Sequence, residues 1–326
     1  MLLSRREFYL ATLSSIQSLS YAYSHNGDKL PEGVAETGAG LTMEEATSGW
    51  LSLFDFKTDY GWQNSTVLNN SLSGGTFTLP LSNCKIRLKS KVKSSIILGN
   101  KSHTIEPNTP LVIDSSDSNN NLKIQSGSLY EVAILPLKLT PKLNGKDHSG
   151  WKEIIRKGKS PASWKVQEGK LVAKGGPAVL ELEDQLFADM IIRIKVASNA
   201  RHSNGGLFFR SIPGEFTNGY EAQIYSSCDD NDPAKPTKWA TGAIDDRVQA
   251  RRLISRDFTP FSMTVIALGP KIAVWVNGYQ TVSWVDTREI STNPRKGLRL
   301  EAGSIQIQAH DPLTNIEIHE LSCRHW

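Results

Sequence analysis

The stretch NGGLFFRSIPGEFTNGYEAQIY, residues 204–225, decides the fold because it places charged side chains at strand spacing inside apolar runs. Residues 207–210 predict the end of a buried strand. The Pro-Gly and Asn-Gly dipeptides at 213–214 and 218–219 predict turns, and residues 220–225 predict the returning strand. The stretch therefore indicates an antiparallel hairpin.

The returning strand carries a polar face. Side chains alternate across a strand, so Glu221, Gln223 and Tyr225 share one side of it. A carboxylate and an amide on one face of an aromatic-flanked strand indicate a polar cleft of carbohydrate size. The alternative is a solvated sheet face with an ordinary cross-strand ion pair between Arg210 and Glu221.

Short apolar or alternating runs, separated by turn signals, continue on both sides of this hairpin. Glu168-Gly169 and Asn277-Gly278 are typical hairpin turns, and almost no segment has helical period. The pattern predicts an all-β fold, a two-sheet antiparallel sandwich preceded by a smaller β domain. Alternating lysines in KIRLKSKVKSS, residues 85–95, are typical of an edge strand protected against aggregation.

A repeated D/N-x-K-x-x-x-G-W pattern, at 55–62 and 144–151, indicates that a second domain begins near residue 138.

Near the start of the chain, SRREFYL, residues 4–10, resembles a twin-arginine export signal. The predicted organisation, in chain order, is an export signal over 1–24, a linker over 25–48, an accessory β domain over 49–136 and a larger β-sandwich domain over 137–326. A twin-arginine signal predicts a periplasmic or secreted protein.

Composition excludes several classes. The net charge of +4 is spread along the chain without a dense basic run, which argues against a nucleic-acid partner. No apolar run beyond the signal approaches the roughly 20 residues of a spanning helix, so we expect no membrane insertion of the mature chain. Cys84, Cys228 and Cys323 show no zinc-ligand spacing and allow at most one disulfide, whose pairing stays open. The sequence leaves the oligomeric state unknown.

Six segments between residues 144 and 321 resemble the 3-keto-disaccharide hydrolase family, also described as 3-keto-glucoside lyase/hydratase domains. They are NGKDHSGW (144–151), SNGGLFFRSIPGEFTNGYEAQIY (203–225), TGAID (241–245), VWVNGYQTVSWVDTR (274–288), NPRKGLRLEAGSIQIQAHDP (293–312) and NIEIHEL (315–321). The resemblance implies a concanavalin-like jelly roll with a sugar site on its concave face. It also implies an enzyme that cleaves oxidised, 3-keto sugar substrates by β-elimination and hydration.

The predicted site follows from strand alternation and from this resemblance. His310 and Glu221 are the candidate base and acid, and Arg210 is the candidate that polarises the sugar carbonyl. The predicted substrate-binding residues are Gln223, Tyr225, Gln308, Asn204 and Trp239. His310 has a second interpretation, a structural residue that caps a turn with Asp311-Pro312.

No cofactor is certain for this chemistry. A divalent metal held by Glu221, His310 and Asp311 is a further hypothesis, although no compact ligand spacing supports it. The chain reads TGAIDDR where relatives commonly read TGAIYRR, so Asp245 and Asp246 replace an aromatic residue and a cation. This departure indicates a changed substrate.

Two other functions stay open. A non-catalytic, lectin-like sandwich would use exposed tryptophans as stacking surfaces, although Trp275 and Trp284 fit a core equally well. A conventional retaining glycosidase needs two carboxylates about 5 Å apart, and no E-x-D-x-E-like run provides them.

Overall fold

The computed structural model describes residues 36–115 and 120–326. The predicted export signal, 1–24, lies outside the described residues. One α-helix is present in the described part of the chain, α1 (Met43–Ser48), together with a 3-10 turn at Asp229–Asn231. In the same part, no helix has the length and apolar character needed to cross a bilayer.

Helix α1 lies inside the segment predicted to be a linker. Thr42 and Glu45 form a capping box at its start, in which Thr42 Oγ1 accepts from Glu45 N at 3.1 Å and Glu45 Oε2 accepts from Thr42 N at 3.0 Å. The helix is fixed to the first sheets because Glu45 also binds Arg87. Part of the predicted linker is therefore ordered structure.

The first half of the chain forms two antiparallel sheets. Their strands are β1 (Leu51–Ser52), β2 (Trp62–Leu68), β3 (Ser71–Phe77), β4 (Cys84–Lys89), β5 (Ser94–Leu98), β6 (Lys101–Ile105), β7 (Leu111–Asp114), β8 (Leu122–Ser126), β9 (Ser128–Leu129) and β10 (Glu131–Pro136). One sheet has the order β1-β10-β4-β7, and the other has β2-β3-β8-β5-β6 with β9 paired to β3.

The edge-strand prediction for the lysine-rich run is wrong. Strand β4 lies inside its sheet, between β10 and β7. Its basic side chains pair with acids, since Arg87 and Lys89 both bind the buried carboxylate of Glu131 at 2.5 and 2.8 Å. The alternating charges serve cross-strand ion pairs.

The second half forms a sandwich of two antiparallel sheets. Its strands are β11 (Thr140–Pro141), β12 (Trp151–Ile155), β13 (Ser163–Gln167), β14 (Lys170–Lys174), β15 (Ala178–Leu182), β16 (Met190–Ser198), β17 (Gly205–Ser211), β18 (Tyr220–Ile224), β19 (Phe261–Leu268), β20 (Lys271–Val276), β21 (Tyr279–Val285), β22 (Ser304–Ala309) and β23 (Asn315–His325). The larger sheet has the order β13-β14-β23-β16-β19-β20-β21, with β11 paired to β23. The smaller has β12-β15-β22-β17-β18. The predicted all-β antiparallel fold is confirmed.

Alternation in the larger sheet builds two cores at once. Ile192 and Val274 point into the core between the two sandwich sheets. Their neighbours Ile191 and Trp275 point the other way and join the core of the first two sheets. The indole N–H of Trp275 donates to the carbonyl of Ser52 at 2.9 Å. The first half of the chain therefore covers the outer face of the larger sheet, which leaves the outer face of the smaller sheet for a cleft.

The repeated G-W motif folds the same way twice. Gly61 and Gly150 have φ values of 85° and 83°. The tryptophan after each glycine begins a strand and donates its indole N–H to a carbonyl nine residues earlier, at 2.6 Å for Trp62 and 2.9 Å for Trp151. The motif is thus a local structural unit that opens both halves of the chain.

The predicted hairpin turns are present. Glu168 and Gly169 connect β13 to β14, and Asn277 and Gly278 connect β20 to β21. All four residues have positive φ, as a two-residue type I′ turn requires. The three cysteines are free and buried, so none of them pairs in a disulfide.

Candidate functional site

The floor of the cleft is the outward face of the smaller sheet. Leu207 and Ile307 point into the sandwich core, so alternation turns Gly206, Gln223 and Gln308 outward. The register pairs Gly206 with Gln223 on one side and with Gln308 on the other. A glycine therefore lies between two amides in one cross-strand row.

Two further rows flank this central row on the same face. The row on one side contains Glu221, Phe208 and Gln306. On the other side, the last residue pairs of the sheet join Gly205 to Ile224 and to Ala309. One residue further along each strand, Tyr225, Asn204 and His310 form the third row. A ligand over the central row thus has the Glu221 carboxyl on one side and the His310 imidazole on the other.

The cleft above these rows has a volume of about 630 Å³, within the usual range for small-molecule sites. Every predicted site residue except Arg210 lines it. The complete lining consists of Arg156, Pro177, Asn204, Phe216, Thr217, Glu221, Gln223, Tyr225, Trp239, Asp245, Asp246, Arg295, Gln308 and His310. Strand alternation in the sequence therefore grouped residues that the structure brings together in one cleft.

Glu221 is the most perturbed group in the cleft. Only 4% of the residue is exposed. Burial, reinforced by the nearby negative charge of Asp245, raises the pKa of Glu221 to about 8, although Arg295 acts in the opposite direction. Glu221 therefore carries a proton at neutral pH.

Arg295 connects the two acids of the cleft. Its Nη2 lies 3.1 Å from Glu221 Oε2 and its Nη1 lies 2.9 Å from Asp245 Oδ2. Its Nε donates to the carbonyl of Thr217, and the guanidinium stacks over the ring of Phe208 at 5.4 Å. The two carboxyls therefore meet at a single guanidinium.

Sequence reasoning did not assign these partners a role. Arg295 is 74 residues from Glu221 along the chain and lies in a loop, where strand alternation gives no information. Asp245 was visible only as a departure from the family pattern. The structure gives that departure a location, because Asp245 and the neighbouring Asp246 both line the cleft.

His310 is a partly exposed imidazole held by a carboxylate. Its Nδ1 lies 3.0 Å from Asp311 Oδ2, and its side chain is 46% exposed. If Nδ1 carries the hydrogen towards Asp311, Nε2 presents a lone pair that can accept a proton. The turn is closed by Thr314, whose Oγ1 accepts from the backbone N–H groups of both His310 and Asp311. The His310 ring is therefore not required as a cap.

Three side-chain amides supply neutral hydrogen-bonding groups to the cleft. Gln223 Oε1 accepts from the N–H of Ile224 at 3.2 Å, which leaves the amide NH₂ as a donor. The buried oxygens Gln308 Oε1 and Asn204 Oδ1 have no hydrogen-bond partner among residues 36–115 and 120–326. Buried acceptors are usually satisfied, so these oxygens suit ligand hydroxyl groups.

Trp239 offers an aromatic surface at the cleft. It is 45% exposed, and Lys238 Nζ lies 4.2 Å from the centre of its ring. The other two candidates are packing residues. Trp275 is completely buried beneath the first sheets, and Trp284 packs edge-on against Tyr220.

Arg210 does not belong to the cleft, which corrects the sequence-based assignment. A β-bulge between Phe208 and Ser211, with Arg210 at a φ of 47°, breaks the alternation that placed it on the cleft face. The residue is fully buried. Its acceptors are the carbonyls of Ala188, Gly269 and Arg299 and the carboxylate of Asp189. Arg210 therefore neither pairs with Glu221 nor reaches a sugar carbonyl.

The proposed metal donors do not form a cluster. Over residues 36–115 and 120–326, no three His, Cys, Asp or Glu side chains lie close enough together to hold a metal ion. Of the three residues considered, Asp311 binds the ring of His310 whereas Glu221 binds Arg295.

The fold and this cleft together define a concanavalin-like jelly-roll sandwich with a polar site on its outward face. A model of the 3-keto-alpha-glucoside-1,2-lyase-like domain matches residues 138–321, more than half of the chain. The chain therefore belongs to this family and is a carbohydrate-processing β-sandwich. No curated protein matches it.

Solved structures give more distant similarities. One is a "putative glycosyl hydrolase" from Parabacteroides distasonis ATCC 8503, with 17% identity and a TM-score of 0.46 over 58% of this chain and 94% of that one. Another is the carbohydrate binding module CBM66 from Bacillus subtilis, with 12% identity and a TM-score of 0.39 over 54% and 95%. Similarity at this level does not define an activity.

Proposed function

We propose that this chain is an enzyme that cleaves 3-keto-glucosides by β-elimination followed by hydration, with net hydrolysis of the glycosidic bond. Family membership supports the substrate class. The observation that carries the proposal is the buried carboxyl of Glu221, bound to Arg295 and opposite His310 across the cleft floor. A buried carboxyl that keeps its proton at neutral pH is suited to act as a general acid.

The reaction needs a base and an acid on different atoms of the sugar. A ketone at C3 acidifies the proton on C2, and its removal places negative charge on the C3 oxygen. The C1–O bond then breaks, and the departing oxygen takes up a proton. Water adds to the resulting enone at C1 and returns a proton to C2, so the sum is hydrolysis.

The cleft offers a group for each role. We assign the base to His310 Nε2, because Asp311 orients the ring through Nδ1. We assign the acid to Glu221, which lies on the other side of the Gln223–Gly206–Gln308 row. A sugar ring on this row would contact the two groups from opposite sides.

The enolate oxygen needs hydrogen-bond donors. Arg295 uses Nε for Thr217 and one contact from each terminal nitrogen for the acids, so N–H groups remain on both terminal nitrogens. The amide NH₂ of Gln223 is a further donor. Donors fixed before the reaction stabilise developing charge strongly in a cleft that excludes water.

The arrangement disfavours a conventional retaining glycosidase. Such an enzyme places two carboxyls about 5 Å apart on either side of the glycosidic bond. Here the carboxyls of Glu221 and Asp245 are in hydrogen-bonding contact and share one arginine. Two carboxyls in this contact leave no room for a glycosidic bond between them.

The second candidate function is carbohydrate binding without catalysis. The exposed Trp239 and the three cleft amides favour it, because stacking and neutral hydrogen bonds are sufficient for a lectin. Binding alone gives no reason for a buried, protonated carboxyl next to a second acid. We therefore favour the enzyme over non-catalytic carbohydrate binding.

The test is aglycone release from a chromogenic 3-keto-glucoside and from the matching unoxidised glucoside. We expect release from the keto compound alone, with loss of release in Glu221→Gln and in His310→Ala. Sugar binding, measured by calorimetry, should survive in both variants. Binding without release in the native protein would refute the enzyme and favour the lectin.

We also propose that the chain is exported, because the arginine pair and apolar stretch of residues 4–16 resemble a twin-arginine signal. Cell fractionation should find a shortened chain outside the cytoplasm, and Arg5→Lys/Arg6→Lys should retain the full-length chain inside. A full-length native chain in the cytoplasm would contradict export.

A further inference from the structure

The side chain of Glu221 rests on a glycine. The strand register pairs Glu221 with Phe208, yet its side chain crosses diagonally to lie over Gly206. A Cβ atom added to Gly206 would lie 2.3 Å from Glu221 Oε1 and 2.9 Å from both Cδ and Cγ. The carboxyl therefore occupies the volume that any other side chain at this position would fill.

Backbone conformation does not explain this glycine. Gly206 lies inside strand β17, and its φ is not positive. Every residue type can adopt an extended conformation, and a glycine inside a strand normally weakens it. What distinguishes Gly206 is the missing Cβ beneath Glu221.

We propose that Gly206 is a positioning residue that holds the Glu221 carboxyl in its buried place against Arg295. This inference rests on the proposed function, in which Glu221 is the acid. The charged groups that face Glu221 are Arg295 and Asp245, and both contacts depend on where the carboxyl lies. Gly206 leaves the space in the sheet that the carboxyl occupies, and Arg295 binds the carboxyl from the side.

Replacement by alanine should act on the carboxyl more than on the fold. The three atoms nearest to an added methyl group all belong to the flexible side chain of Glu221, so the carboxyl must move away from the sheet. It then loses its 3.1 Å contact with Arg295 and gains water. Burial is the largest cause of the raised pKa of Glu221, so the gain of water outweighs the lost contact with Arg295. Glu221 therefore loses its proton at lower pH than in the native protein.

The experiment compares Gly206→Ala with a matched control, Gly205→Ala. A Cβ on Gly205 would meet the carbonyl of Gln308 at 2.9 Å and Ile316 Cδ1 at 3.1 Å, but no atom of Glu221. The control therefore reports the cost of a buried methyl group in the same strand. For Gly206→Ala we expect kcat to fall at least tenfold with little change in KM. We expect the alkaline limb of the pH–rate profile to move to lower pH by at least one unit.

A rescue variant separates positioning from damage to the fold. Glu221→Asp is one methylene shorter and leaves room for the added methyl group. We expect Gly206→Ala/Glu221→Asp to be as active as Glu221→Asp alone. Losses that multiply in the double variant would overturn the proposal, as would a Gly206→Ala enzyme with native kcat and pH profile.

An infrared measurement tests the same inference without turnover. The protonated Glu221 carboxyl should give a C=O band at pH 7 that is absent from Glu221→Gln. We expect this band to be lost in Gly206→Ala and kept in Gly205→Ala. If the native protein is inactive on keto-glucosides, the proposed function fails while the band still decides the role of Gly206. A native band that persists unchanged in Gly206→Ala would overturn that role.

Discussion

Replacing Glu221 by glutamine should change how stability depends on pH. The pKa of this carboxyl is about 8 in the folded chain against an ordinary value of 4.5. Between those two values the folded chain keeps a proton that the unfolded chain releases. The stabilisation is therefore complete below pH 4.5 and is lost as the pH rises through about 8. The glutamine in Glu221→Gln does not titrate, so the stability of this variant does not fall for this reason as the pH rises.

The size of the effect follows from the pKa difference. At 1.36 kcal/mol for each pKa unit, the full difference corresponds to about 5 kcal/mol. A measurement that starts at pH 5 records only the part of this difference that lies above pH 5. We expect the native chain to lose about 2–4 kcal/mol relative to Glu221→Gln between pH 5 and pH 9.

Urea unfolding followed by tryptophan fluorescence, at half-unit steps from pH 5 to pH 9, measures this difference. Burial also raises the pKa of Asp257, to about 7, but this group titrates in both proteins and cancels. As a control, Asp245→Asn removes the neighbouring negative charge, which should lower the pKa of Glu221 in the folded chain. The pH range over which stability falls should then end at a lower pH. A constant difference between native and Glu221→Gln proteins, within about 0.5 kcal/mol across the range, would refute the reasoning.

Three further outcomes follow from the site and its surroundings. Arg210→Ala should cost about 3–5 kcal/mol of stability in thermal unfolding, because it leaves the carbonyls of Ala188, Gly269 and Arg299 without their donor, while the folded fraction keeps native kcat; a loss of kcat at native stability would return Arg210 to the site. His310→Ala should lower kcat by about 10²–10⁴ with little change in Tm, since the side chain is half-exposed; activity within threefold of native would remove His310 as the base. Trp239→Ala should raise KM about tenfold at unchanged kcat if the ring stacks on sugar, and an unchanged KM would exclude that contact.

Local chemistry made much of the fold predictable. The Glu168-Gly169 and Asn277-Gly278 turns need positive φ at adjacent positions, which only a few residue types accept readily, so the dipeptides alone indicate the hairpins. Strand alternation placed Glu221 and Gln223 on one face, because the two-residue period of side chains is a property of any strand. Helix α1 had a readable signal as well, the Thr42-x-x-Glu45 capping box.

The site was less predictable where distant segments meet. Alternation misplaced Arg210 because a bulge inserts irregular residues into β17, and no residue type in that stretch announces it. Arg295 lies in a loop, and only the folded chain brings its guanidinium onto Glu221 and Asp245. Composition could show that acids replace other residue types at 245–246, but the electrostatic effect on a carboxyl 24 residues away depends on three-dimensional contact.

The shared core beneath the larger sheet has a consequence for anyone who divides this chain. The family match begins at residue 138, yet Trp275 and its outward-facing neighbours on that sheet complete the core of the preceding residues. A fragment produced from residue 138 onward would present these apolar side chains to water and would tend to self-associate. We therefore expect soluble expression of residues 138–326 to require the preceding residues or a redesigned surface on the larger sheet.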